Sequence, residues 1–271
     1  MLVRTAKALA AQWVSEDGSR LEGFAGAFSH GSINWMSDDA LQPPTSDVDV
    51  MVLLSGPQPE VKIGKFVYQG VLLEVSFMPA GELADAERVL ETPHLAGNLA
   101  RATILADPNG TLRSLQRQVA GRYNRRSSVQ QRCRQTEQKI RQFLASIDPV
   151  RPYHDQVSGW LFGTGCTTHV VLVAALRNPT VRQRYLAARV LLAEYGNLAL
   201  YERLLELLGC AGLSRHDVER HMPALAAAFD AAPAVLRTPI FFAADLSADA
   251  RPVAIDGSRA LIEHGNHLEA S

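Results

Sequence analysis

The stretch Ser46-Asp47-Val48-Asp49-Val50-Met51-Val52-Leu53-Leu54 constrains this chain more than any other. Its apolar run is short and rich in valine, so it reads as a buried strand with two carboxylates at its opening. Side chains two apart on a strand share a face, which puts Asp47 and Asp49 on one side of the sheet, roughly 6–7 Å apart along the backbone. Two like charges turned into a folded interior are costly without a counter-ion. Oxygen ligands on a rigid strand suit a hard divalent cation such as magnesium.

Two further features converge on that pair. Upstream, Gly23 to Ser29 alternates small and aromatic residues, reads as a first strand, and leads into Gly31-Ser32. Gly31 lets the backbone approach a phosphate closely, while the N–H groups and hydroxyl of Ser32 can bind its oxygens. His30, just before this turn, is either a further phosphate contact or a satisfied loop histidine. Downstream, Phe66 to Phe77 reads as another strand, in which Glu74 is a lone charge in an apolar run; such residues are usually paired or metal-bound. Antiparallel pairing across a short link is expected to bring Glu74 beside Asp47 and Asp49.

Gly-Ser, a spacer, Asp-x-Asp at a strand start and a carboxylate on a later strand together resemble the pattern of the DNA polymerase beta-like nucleotidyltransferase superfamily. The nearest likeness is to kanamycin nucleotidyltransferase-type small-molecule adenylyltransferases. It is carried by Ser46 to Asp49, by Leu73-Glu74-Val75-Ser76-Phe77, and by Ile104-Leu105-Ala106-Asp107-Pro108-Asn109-Gly110, and it spans about Gly26 to Leu112. The spacer before Asp47 is a few residues longer than that pattern has. The resemblance implies an α+β fold, with a mixed or antiparallel nucleotidyltransferase sheet, flanking helices and a C-terminal helical bundle domain. It also implies two magnesium ions about 3.5–4 Å apart on Asp47, Asp49 and Glu74, with ATP or another nucleoside triphosphate as substrate. Gly31, Ser32 and His30 would line the phosphates, and a carboxylate of the helical domain would act as general base. Asp155, Asp148 and Glu137 are the candidates for that base, with Asp155 preferred for its place before a glycine-rich helix. The implied reaction moves a nucleoside monophosphate, AMP above all, to a hydroxyl of an aminoglycoside-like acceptor and releases pyrophosphate. Resistance, biosynthesis and regulation all use this chemistry. A homodimer sharing its clefts is a further implication. A tRNA or protein acceptor, as in nucleotidyltransferase toxins, and a non-catalytic nucleotide-binding member are the alternatives.

The rest of the chain supplies context. With 271 residues, 47% of them hydrophobic, and a formal net charge of -1, it is long enough for two domains, and its charge gives no global pull to nucleic acid or anionic membrane. The expected division is a catalytic domain over 1–118 and a helical domain over 119–271. Cys133, Cys166 and Cys210 form no metal-type pair and are expected as reduced thiols in a cytoplasmic protein. The apolar run Val170 to Leu176 is too short to span a bilayer, so no membrane partner is expected. Residues 3–16 carry a helical apolar stripe, and Pro79 to Leu90 and Leu95 to Ala102 also read as helices. Asp38 and Asp39, in the loop from Asn34 to Thr45, are read as an exposed tip and left out of the site. The arginines from Arg113 to Arg141 fit either a solvated helix face or phosphate contacts, the solvated face being favoured. Helices are expected over 155–176, 179–194, 198–208 and 214–229, and Ala248 to Ser271 as a mobile polar tail.

Overall fold

The structure, a computed structural model, describes residues 1–238 and 240–270. It has the expected α+β architecture. Strands β1 (Phe24–His30), β2 (Val48–Leu54), β3 (Gly64–Tyr68), β4 (Val71–Pro79) and β5 (Ile104–Ala106) form one mixed sheet in the order β3-β4-β2-β1-β5. Helices α1 (Val3–Glu16), α2 (Ala86–Glu91), α3 (Pro93–Arg101) and α4 (Thr111–Ala120) accompany the strands. Helices α5 (Arg126–Ala145), α6 (Tyr153–Gly165), α7 (Thr167–Ala174), α8 (Arg184–Glu194), α9 (Leu198–Leu208), α10 (Arg215–Val235), α11 (Gly257–Glu263) and α12 (His267–Ala270) follow. By contacts the chain divides into two compact units. The first comprises Met1–Val89, Asn98–Gly121 and Arg220–Ala260; the second comprises Leu90–Gly97, Arg122–Glu219 and Leu261–Ser271.

In the first unit, α1 turns Val3, Ala6, Ala10, Trp13 and Val14 toward the sheet, the helical spacing read from the sequence. They pack with Ala27, Val48, Val50, Val52, Leu73 and Val75. Because β2 alternates, committing Val48, Val50 and Val52 to this core sends Asp49 and Met51 to the opposite face. The core therefore sets the direction of the acid.

Two expectations about Glu74 are corrected. The segment read as one strand is a hairpin, turning at Gln69 and Gly70, whose φ values of 47° and 80° are those a tight two-residue hairpin requires. Splitting the segment gives β4 the freedom to run parallel to β2, not antiparallel as expected, and β3 pairs antiparallel on its outer side. Nor is the stretch from Pro79 to Leu90 one helix. It makes a short 3-10 turn, Ala80–Leu83, before α2.

In the second unit, α5 packs on α6 and α7, and α8 on α7 and α9. The glycines of α6 serve close packing: a Cβ on Gly159 would lie 2.9 Å from Ile147 Cγ1, and one on Gly163 would lie 2.6 Å from Leu144 Cδ2. The expected helix 155–176 breaks at Cys166 into α6 and α7. Taken as one stretch, Tyr153–Ala174 has the length and mean hydropathy, 1.3, of a bilayer-crossing helix. The basic block is not wholly a solvated face either. Arg132 is 1% exposed and donates to Leu90 O at 3.1 Å and Tyr123 O at 2.7 Å.

The stretch expected as a mobile polar tail is folded. A π-helical turn over Pro252–Asp256 leads into α11 and α12, and Ile255, Leu261 and Ile262 are buried. Its polar tone misleads because Glu269, near the end, is itself buried. Its carboxylate takes an ion pair from Arg189 at 2.9 Å and a hydrogen bond from the Tyr201 hydroxyl at 2.7 Å. Ser271 lies outside the described residues.

Candidate metal centre

Register builds the site. Glu74 on β4 lies directly across from Asp49 on β2, and Asp49 lies directly across from His30 on β1. Directly paired residues share a face, so these three line one row of the sheet on the side away from α1. Asp47 sits just before β2, two residues from Asp49. Carboxylate oxygens of Asp47, Asp49 and Glu74 lie within 4.8 Å of one another, and among the described residues these three form the group able to hold a metal ion. The sequence named all three.

The Gly-Ser turn meets this row at Asp49. Gly31 and Ser32 open a 3-10 turn, Gly31–Trp35, that follows directly from β1. Gly31 has φ of 72°, in the left-handed region, and a Cβ there would lie 1.8 Å from Asp49 Oδ2. The space read from the sequence as room for a phosphate is thus first of all room for the Asp49 carboxylate. Asn34 staples the turn to the sheet: it accepts from the Ser29 hydroxyl at 2.5 Å and donates to Ser29 O at 2.8 Å. The Ser29 hydroxyl in turn accepts from Thr103 N at 2.8 Å, on the way into β5. Ser29 and Asn34 carry no charge and no motif, which is why reading the sequence passed over them.

Sequence reading also missed two lysines and a fourth acid. Lys65 on β3 lies directly across from Glu74, so the row continues as Lys65, Glu74, Asp49, His30. Its ammonium contacts Glu74 Oε2 and lies 2.9 Å from Asp47 Oδ2. Lys62, just before β3, contacts Glu74 Oε1 and lies 2.8 Å from Asp245 Oδ2. Asp245 arrives on the 3-10 turn Phe241–Asp245, which packs against β3 where Gly64 has no side chain; a Cβ there would lie 2.3 Å from Ala244 Cβ. Only the spacing Lys62-x-x-Lys65 before the Glu74 strand could have hinted at this arrangement.

The electrostatics divide the acids. Burial first, then the charges of Asp47 and Glu74, push the Asp49 carboxyl well above the ordinary range, and no ion pair among the described residues reaches it. Burial also raises Asp47, against the pull of Lys65. At Glu74 burial pushes upward too, but Lys65 and Lys62 outweigh it and hold the carboxyl at about 2. Burial would lower the Lys65 ammonium, and the neighbouring Asp47 and Glu74 reverse that, raising it above its usual value. A buried carboxyl pushed up by its neighbours, set in a cradle that only glycine leaves open, fits a hard divalent cation. The donor set of oxygens alone fits magnesium.

The remaining expected residues fall elsewhere. Asp155 opens α6 in the second unit, where Arg151 pairs with it at 3.0 Å and His154 lies 3.5 Å away. Asp38 and Asp39, left out of the site, pair with Lys7 and Arg4 at the surface.

No protein-family model and no curated protein matches this sequence. Among solved structures, the chain is similar to a nucleotidyltransferase-like protein from Exiguobacterium sibiricum, at 14% identity, with 96% of this chain and 91% of that chain covered and a TM-score of 0.35.

Proposed function

We propose that this chain is a magnesium-dependent nucleotidyltransferase that moves AMP from ATP to a hydroxyl of a small-molecule acceptor. The observation that carries the reading is the convergence of Asp47, Asp49 and Glu74, with Asp49 seated against Gly31 of the Gly-Ser turn. A lone pair of acids would support far less. Asp47, Asp49 and Glu74 would hold the metal, which when bound supplies charge neutralisation at the reacting phosphate and a more acidic acceptor hydroxyl.

The chain's own contribution is alignment and a fixed electrostatic environment. The hydroxyl and backbone N–H of Ser32 bind triphosphate oxygens, on a turn held by Asn34 and Ser29. A bond forms from the acceptor oxygen to the α-phosphorus as the bond to the bridging oxygen breaks. Its electron pair leaves with pyrophosphate. The acceptor proton passes to a carboxylate of the chain.

Pyrophosphate release tests the proposal, measured with each nucleoside triphosphate and magnesium against aminoglycosides, lincosamides, nucleosides, RNA and protein. Turnover with a small alcohol is the expected result. Asp47→Asn and Asp49→Asn should each abolish it with the fold intact. Near-normal turnover in either variant would remove the carboxylate centre from the chemistry. Labelling of RNA or protein alone would replace the acceptor class.

A further inference from the structure

The reading above leaves open how many cations the centre takes. Resting on that reading, we propose that it takes one divalent ion and that the Lys65 ammonium is its second cation, built into the sheet.

Three observations carry this. First, Lys65 bridges the two carboxylates that a second ion would have to share, contacting Glu74 Oε2 and lying 2.9 Å from Asp47 Oδ2. Lys62 takes the other oxygen of Glu74, so both oxygens of that group already face an ammonium. Asp49 is the member of the triad with no lysine ion pair among the described residues.

Second, the charges balance for one ion. Among the described residues the ion pairs of this cluster come from Lys62 and Lys65, so Asp47, Asp49, Glu74 and Asp245, when ionised, exceed those two ammoniums by two charges. A single divalent ion balances that excess. A second would leave the cluster positive before any nucleotide arrived.

Third, Lys65 has nowhere else to go. Its register opposite Glu74 keeps its side chain on the row of the carboxylates, its side chain is 9% exposed, and Asp245 Oδ1 lies 3.6 Å from its nitrogen. The turn carrying Asp245 is seated over Gly64 next door. A second divalent ion would set its charge against a largely buried ammonium, which is strongly unfavourable. Asp245 is therefore a positioning residue, acting on the centre through Lys62 and Lys65.

Manganese can stand for magnesium and makes the count visible. The full chain would be saturated with Mn2+ and an ATP analogue whose α,β-bridging oxygen is replaced by methylene, and bound manganese measured by equilibrium dialysis and electron paramagnetic resonance. The expected result for the unaltered chain is about one ion per chain with an isolated-ion spectrum. Lys65→Met, which keeps the length of the stem without the charge, should raise the count about twofold and bring in the exchange-coupled spectrum of two ions within about 4 Å. Lys65→Arg should keep the single ion. Two coupled ions in the unaltered chain, or an unchanged count in Lys65→Met, would overturn the proposal while leaving the metal centre standing. If Lys65→Met fails to fold, the count in the unaltered chain decides by itself. No manganese bound at all would overturn the metal centre, and this inference with it.

Discussion

Substituting Gly31 by alanine should damage stability and metal binding together, and the size of each effect can be worked out beforehand. The added Cβ would sit 1.8 Å from Asp49 Oδ2 and 2.7 Å from its Cγ, whereas ordinary contact begins near 3.4 Å. The carboxylate must retreat by about 1.6 Å, the difference between those two distances. Alanine at φ of 72° adds backbone strain of about 1–2 kcal/mol, and overpacking adds about 1–3 kcal/mol. A loss of about 2–4 kcal/mol is expected, since part of the clash is relieved when Asp49 moves. Displacing a ligating group by more than an ångström should lower turnover by about 100-fold. Urea denaturation without metal measures the first effect, and calorimetric titration with Mn2+ plus a turnover assay measures the second. Gly31→Ala with unchanged stability and unchanged manganese affinity would refute the idea that this glycine exists to seat Asp49.

Three other perturbations follow. Asp49→Asn removes a buried carboxyl whose charged form burial and its acidic neighbours disfavour, so in EDTA it should match or exceed the stability of the unaltered chain, yet lose the stabilisation that Mn2+ gives; a marked drop in its melting temperature in EDTA would contradict this. His169 donates from Nε2 to Thr180 O at 2.9 Å, and burial lowers it to about 4 from 6.5. The unfolded chain then binds the extra proton between those values, so the stability is full above pH 6.5 and lost as pH falls toward 4. At about 1.4 kcal/mol per pH unit this amounts to about 3 kcal/mol by pH 4. Unfolding followed from pH 7 to 4 should show it, with a flatter profile in His169→Gln; identical profiles would sink the assignment. Glu269→Gln should cost about 2–3 kcal/mol by urea denaturation, below the figure for a fully buried pair because Arg189 is 36% exposed; no loss would mean that the C-terminal turn is not anchored there.

What the sequence made legible was local. Asp47 and Asp49 could be placed because alternation along one strand decides which side chains share a face, and α1 because its stripe has one period. Glu74 could be named as an acid in an apolar run, but not correctly paired, since Gln69-Gly70 passed as part of a strand and so hid β3. Lys65 then had no partner strand from which its position could be deduced. Asp245 was beyond reach for a different reason: its contact with Lys62 joins distant parts of the chain, and no periodicity near either residue reports it. The buried Glu269 shows the same limit, as its partners Arg189 and Tyr201 lie on two other helices.

The hairpin at Gln69 and Gly70 has a reach out of proportion to its size. Strand β3 is at the margin of the sheet, paired with β4 on one side, and the length of that turn is what lines it up. One residue more or fewer would slide the strand by a single place and carry Lys65 to the other side. The net charge that the carboxylates present to a nucleotide is thereby set by the bend of two exposed residues that touch none of them.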